Sequence, residues 1–331
     1  MSISRHSAIV RGPAVVEFSG GSGGSAWSYT FRTKGDVTFD HETRTFEVES
    51  SELDVIDRRA QEIVATVKFT PVGVVDADGV AILWPHLAKL PGASLFPGSA
   101  AGDTVVKIRP VAGSASSYDT IVLANAAVTK MPDIIISAVK TQVGGVEVRG
   151  ILEDGGEWER GYHWQFDNTG APTLGTLSAA SIPTMPGTVA WGTGFTDIKT
   201  TEGVTISFDM QTQDEVEDEN GIYDITLTGL SAKATLTPVA GFGFASLEQR
   251  LHVQDERPRG GSIERHDLVV TSRDAGGLAV TVYNASLREL PLVYGATSRR
   301  VGQLTFEGAR GTGNAVAAVS IVAAQSAGTE G

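Results

Sequence analysis

The chain contains no cysteine. That excludes a disulfide framework, a thiolate metal site and a cysteine nucleophile. Long apolar runs are missing too, since no stretch approaches the roughly 18 consecutive apolar residues of a membrane span. The opening MSISRHSAIVRGPAVVEF has no apolar core after its basic residues of the kind a secretory signal carries. The expectation is a protein made in the cytoplasm, with no membrane partner. Base is scarce relative to acid: 26 Lys and Arg stand against 39 Asp and Glu, for a net charge of −13. This argues against tight phosphate binding through a broad basic face. Solubility alone accounts for such a balance. It also suits a protein that lies near DNA without holding it, because an acidic surface repels phosphates and leaves the duplex mobile.

Catalytic patterns are absent as well. The six histidines, His6, His41, His86, His163, His252 and His266, show no HExxH or other metal-ligand spacing. GGSGG at 20–24 and GARGTG at 308–313 are glycine-rich, yet neither joins a dinucleotide or P-loop pattern to a following helix, and both read as loops. The run DEVEDE at 214–219 lacks the spaced ligands of a calcium loop and reads as a solvated charge run. Trp158 and Trp164 flank Tyr162; packing of a connector is the simpler reading than a carbohydrate platform. No enzyme activity, cofactor or metal is expected.

What is present is alternation, with abundant glycine at 39 residues. In VTISFDMQ, Val204, Ile206, Phe208 and Met210 point one way and Thr205, Ser207, Asp209 and Gln211 the other, the signature of a half-buried strand. IVATVKFT at 63–70 repeats that pattern. In VTFDHETRTFEVE at 37–49 the apolar phase slips, which predicts a bulge between Thr45 and Phe46. Helices are predicted only over 79–90 and 245–254, the first kinked or restarted at Pro85. A length of 331 residues, with 41% apolar and 20% charged, gives a globular chain with two domains as the prior.

The chain also repeats itself. ANAAVTKMPDI at 124–134 returns as YNASLRELPLV at 283–293, with Asn125 and Asn284, and Pro132 and Pro291, each 159 positions apart. SAVKTQVGGVEVRG at 137–150 matches GATSRRVGQLTFEG at 295–308 after a one-residue slip. TPV at 70–72 matches TPV at 237–239, and that offset of 167 also pairs Val37 with Val204, Thr45 with Thr212, Glu52 with Glu219, Asp57 with Asp224 and Ala65 with Ala232. The expected organisation is a tandem duplication: repeat 1 over 1–152, a connector over 153–182 and repeat 2 over 183–331. A fused pair builds the same closed ring as a single domain with half as many chains.

Four stretches in order, RGPAVVEF at 11–18, KFTPVG at 68–73, LWPHL at 83–87 and NAAVTKMPDI at 125–134, resemble the major tail proteins, or tail tube proteins, of long non-contractile-tailed bacteriophages. The resemblance covers most of the first half and the second half more loosely. It implies a mainly β fold: two tandem tail-tube-like β-sandwiches, each with a short flanking helix, whose sheets join those of neighbours into a barrel around a lumen. In relatives with a duplicated domain the ring is a trimer with pseudo-sixfold symmetry, stacked into a tube that conducts DNA during ejection. The implied partners are other copies of the chain, a tape measure protein, a tail terminator or distal tail protein, and DNA in transit without specific binding; the implied location is the virion tail. A distal-tail or baseplate-hub ring, and a virion-surface carbohydrate-binding β-sandwich, are the alternatives.

On that resemblance the polar strand faces become lumen candidates: Asp40, Glu42, Arg44 and Lys68 in the first half, Asp209, Gln211 and Lys233 in the second. The charged segments between the paired strands become inter-ring loop candidates. These are Glu47, Glu49, Glu52, Asp54, Asp57, Arg58 and Arg59, then Asp214, Glu215, Glu217, Asp218 and Glu219. The plainer reading of both runs is a solvated hairpin tip.

Overall fold

A computed structural model describes residues 14–20, 27–50, 54–72, 77–96, 104–110, 118–123, 125–137, 141–150, 162–167, 188–193, 195–217, 221–239, 264–272, 278–294, 299–310 and 319–323. The fold is mainly β. The first half contributes β1 (Ala14–Gly20), β2 (Trp27–Arg32), β3 (Thr38–Ser50), β4 (Asp54–Phe69), α1 (Ala77–Leu83), β5 (Ala93–Ser94), β6 (Val105–Pro110), β7 (Tyr118–Leu123), β8 (Ala126–Lys130), β9 (Ile134–Ile136), β10 (Thr141–Val143), β11 (Val146–Gly150) and β12 (Tyr162–Asp167). The second contributes β13 (Val189–Trp191), β14 (Thr200–Glu217), β15 (Gly221–Pro238), β16 (His266–Thr271), β17 (Leu278–Glu289), β18 (Leu292–Tyr294), β19 (Arg299–Val301), β20 (Leu304–Gly308) and β21 (Val319–Ala323).

In the first half a five-stranded sheet, ordered β12-β7-β6-β1-β2, packs against a four-stranded sheet, ordered β3-β4-β11-β8. Alternation decides which side chains meet between them. Phe18 and Phe31 from the larger sheet lie 6.2 and 6.1 Å from Phe69 of β4, ring centre to ring centre, and all three are buried. Val16, Val106 and Leu123 join Ala65, Val67 and Val148 in the same apolar cluster. The second half does this with Trp191 of β13, which meets Phe306 of β20 edge-on at 5.2 Å and donates its indole N–H to the Ala285 carbonyl at 2.9 Å.

The two long hairpins share one register. In β3 and β4, Phe39 faces Val67, Arg44 faces Glu62, and the register shifts between Arg44 and Thr45 and again between Val48 and Glu49. In β14 and β15, Ile206 faces Ala234, Gln211 faces Gly229, and the shifts fall between Gln211 and Thr212 and between Glu215 and Val216. Each of these second-half positions is 167 beyond its first-half counterpart, as 44 is to 211 and 48 is to 215. The next ladder agrees: β4 pairs β11 from Ala65–Gly150 to Phe69–Val146, and β15 pairs β20 from Ala232–Gly308 to Leu236–Leu304. Even the bulge recurs, between Glu147 and Val148 against β8 and between Leu287 and Glu289 in β17 against β20.

Three expectations change, and a fourth falls on residues outside those described. The bulge lies one position earlier than expected, after Arg44. α1 ends at Leu83, and residues 84–88 are turn rather than a continued helix, because the proline at 85 disfavours the α conformation in the residue before it. The segment 245–254 lies outside the described residues. Finally, Tyr162–Asp167, inside the segment read as a connector, is a strand paired to β7 as β21 is paired to β17.

Candidate assembly surface

The halves meet through a borrowed hairpin. β9 of the first half pairs antiparallel with β14 of the second, Ile136 facing Val204, Ile135 facing Thr205 and Ile134 facing Ile206. β10 then pairs with β9, so the first half adds two strands to the second half's sheet. Ile134, Ile136, Val204 and Ile206 are all buried at this seam. Gly203 makes the close approach feasible: at φ +92° it occupies a region L side chains rarely adopt, and an added Cβ would stand 2.1 Å from the Ile136 carbonyl oxygen.

A second contact comes from the far end of the β14–β15 hairpin. Ile222, Ile225 and Leu227 form an apolar cluster with Val64, Leu95, Phe96 and Ala127. β5 pairs with β15 there, Ser94 facing Thr226. Polar groups frame the cluster: Arg149 donates to Asp214 at 2.9 Å, the Ser94 hydroxyl donates to Asp224 at 2.6 Å, and Lys89 donates to the Ser94 carbonyl at 2.5 Å. Burial lowers the Lys89 pKa, and Asp224 opposes that shift.

The sequence-predicted polar face divides in two. Asp40, Glu42, Lys68, Asp209, Gln211 and Lys233 are exposed. Lys68 lies between Asp40 and Glu147, 3.8 Å from each carboxylate, an exposed and therefore weak network. Arg44 takes its place in β3 opposite Glu62 by backbone register. Val64 and Ala127, on the same side of the sheet as Lys68, are instead covered by the second half's hairpin.

Most of the residues predicted as loops lie in strands. Residues 47–50 and 54–59 continue β3 and β4, with Glu47 facing Arg58, Val48 facing Asp57, Phe46 facing Arg59 and Ser50 facing Asp54, and Glu49 pairs with Val55. Residues 214–217 likewise continue β14, where Asp214 faces Ile225, Glu215 faces Asp224 and Glu217 faces Gly221. Glu52, Asp218 and Glu219 lie outside the described residues. The reason is physical: a two-stranded arm satisfies its backbone by cross-strand hydrogen bonds without needing an apolar face. Asp214 is thus an ion-pair partner of Arg149, and Glu215 accepts a hydrogen bond from Thr226 at 3.1 Å.

A cavity of about 500 Å³ opens beside α1, lined by Phe18, Tyr29, Ile82, His86 and Lys89 among others. His86 is fully buried and donates from Nε2 to the Val128 carbonyl at 2.8 Å, while Nδ1 has no hydrogen-bond partner among the described residues. Burial first, then Lys89, lowers its pKa to about 4, against the opposing Val128 hydrogen bond. Among the described residues no group of His, Asp or Glu is placed to hold a metal ion, and no helix is long and apolar enough to cross a membrane.

Sequence reasoning missed the seam residues Ile134, Ile135 and Ile136 and the arm residues Ile222 and Ile225. The three consecutive isoleucines were the available signal, since an apolar run without period marks a strand covered on both faces.

Compared with known proteins, the chain matches no protein-family model and no curated protein.

Proposed function

We propose that the chain is a structural virion subunit: two tandem tail-tube-like modules that assemble into rings, in trimers with pseudo-sixfold symmetry, stacked as a tube through which DNA passes. The single observation that carries this reading is the borrowed hairpin, in which one module completes the sheet margin of the next. A module whose sheet is finished by a like module suits closed assembly, because closure removes edges that otherwise invite uncontrolled pairing. The coincident registers at an offset of 167 support treating the modules as copies, with the first extending through β12.

The charge supports a conduit rather than a DNA-binding protein. Net charge is −13, and the exposed face mixes Asp40, Glu42 and Asp209 with Lys68 and Lys233, which gives passing phosphates no continuous basic track. On this reading the partners are further copies, a tape measure protein, and a terminator or distal tail protein, and the location is the virion tail.

Negative-stain microscopy of the purified protein tests it. Tubes or stacked rings are expected; isolated rings transfer the chain to a distal-tail or hub role, and discrete single particles overturn the assembly reading in favour of a surface β-sandwich.

A further inference from the structure

The hairpin of the seam that joins the two halves has a second copy, which pairs with no further strand among the described residues. β9 and β10 correspond to β18 and β19 at a constant offset of 158: Ile136 pairs with Thr141 as Tyr294 pairs with Arg299, and Ile134 with Val143 as Leu292 with Val301. Both hairpins are locked by the same hydrogen bond, Gly144 N–H to the Asp133 carbonyl and Gly302 N–H to the Pro291 carbonyl, each 2.7 Å. The first hairpin is docked on β14; the second stands as a two-stranded sheet among the described residues. An isolated two-stranded hairpin is marginal in water and gains from a sheet to lie on.

The docking strand is duplicated in the same way. β14 has two neighbours, β15 and β9, whereas among the described residues β3, its counterpart, closes one margin of the order β3-β4-β11-β8. Burial records the difference. Val204 and Ile206 are 2% and 0% exposed beneath the borrowed hairpin, while their counterparts Val37 and Phe39 are half-buried and Thr38 is exposed. The nearby glycines differ as well: an added Cβ at Gly203, within β14, would strike the hairpin, and one at Gly35, just before β3 and also at positive φ, would meet nothing within 4 Å.

We propose that β18 of one chain pairs antiparallel with β3 of a second copy, with Tyr294 facing Val37, Val293 facing Thr38 and Leu292 facing Phe39. This register is the internal seam carried over by the two offsets, with 136 and 204 becoming 294 and 37. The occupant is another copy of this chain because that seam already shows this hairpin type and this strand type to be complementary. Main-chain hydrogen bonds supply the affinity, as in other strand additions, and burial of Val37 and Phe39 adds an apolar term. The contact is head-to-tail, so it either closes into a ring or propagates as a filament. It rests on the reading of the chain as a ring-forming subunit and specifies how one subunit grips the next.

The absence of native cysteine gives a clean test. Cross-strand partners bring their Cβ atoms to about 4.5–5.5 Å, close enough for a disulfide after small adjustment. A chain carrying Val293→Cys and Thr38→Cys, oxidised after assembly, is expected to run as a ladder of linked multimers on a non-reducing gel. Mixing Val293→Cys chains with Thr38→Cys chains should give only linked pairs containing one of each. Ile135→Cys with Thr205→Cys should cross-link within single chains and serves as the positive control. Val293→Cys with Glu42→Cys, out of register, should give no ladder. Rings seen by microscopy without the Val293–Thr38 ladder overturn this contact and leave the ring reading standing; chains that stay single by light scattering overturn both.

Discussion

Asn125 and Asn284, 159 positions apart, hold the same left-handed backbone, at φ 43° and 47°. They are the two non-glycine residues at positive φ among those described. Asn125 stands immediately before β8, and Asn284 lies within β17, where pairing passes from β16 to β20. A turn of the strand at that point lets one segment serve two sheets, and asparagine tolerates the required φ better than most side chains. Replacing either by alanine should cost about 1 kcal/mol, and replacing either by glycine should be close to neutral. Urea denaturation of the four single variants checks this. Alanine variants as stable as the parent would show that the geometry imposes no demand.

Much of this doubled architecture is written in the alternation. VTISFDMQ reads directly as β14, and the gapless offset of 167 anticipates the shared register, because side-chain period and strand pairing are tied together. The charged arms were illegible for a specific reason. Asp57, Arg58, Asp214 and Glu215 lie in charge-rich runs that set no sustained apolar period, so composition alone points to loops, although the ladder continues through them. The seam was illegible for another. Ile134–Ile136 declares burial without naming its neighbour, and a strand's partner depends on a fold-level choice between its own half and the other. Of the predicted site residues, the exposed face was readable from period two; the pairing of Asp214 with Arg149 across 65 positions was not.

Gly203 and Gly35 should respond differently to the same substitution. Both lie at positive φ, at +92° and +77°, so alanine at either pays a backbone cost of about 1 kcal/mol. At Gly203 the new methyl also meets the Ile136 carbonyl oxygen and Ser137, which are backbone or held by backbone, so the seam must open. Gly203→Ala is expected to lose roughly 3 kcal/mol or more, a clash-type penalty comparable to overpacking a core. Hydrogen exchange should accelerate in Ile134–Val143 and in β14 of Gly203→Ala while leaving Gly35→Ala unchanged. Equal effects at the two glycines would refute the seam.

His86 predicts the acid limb of stability. In the unfolded chain its pKa is near the ordinary 6.5; in the fold, burial lowers it to about 4. Above 6.5 neither state holds the proton, so His86 leaves stability independent of pH. Between 6.5 and 4 the unfolded chain takes up a proton that the native state refuses, and stability falls with pH by up to about 3 kcal/mol, levelling below 4. Asp133, raised from 3.8 by burial, acts in the opposite direction at the acid end, since its native state holds the proton more tightly. The difference between the parent and a His86 variant in the change of denaturation midpoint from pH 7 to pH 5 therefore reads the His86 contribution, because Asp133 is common to both. His86→Gln should lower stability at pH 7, yet lose less than the parent on moving to pH 5; an unchanged loss would assign the slope elsewhere.

Charge reversal tests what the exposed face does. Asp40, Glu42 and Asp209 are exposed, and among the described residues Asp40 has an ion-pair contact, at 3.8 Å from Lys68. Changing all three to lysine should alter folding stability by only about 0.5 kcal/mol per site, as surface substitutions do. It removes three negative charges and adds three positive ones per chain, moving the net charge from −13 to about −7. If the face lines the tube, those lysines form phosphate contacts around the whole lumen, and each retained contact makes the drag on DNA salt-dependent. Virions carrying the triple variant should eject DNA more slowly than the parent, with the difference shrinking as salt is raised. Ejection at the parental rate in low salt, from tails of normal appearance, would place these carboxylates on the outside of the assembly.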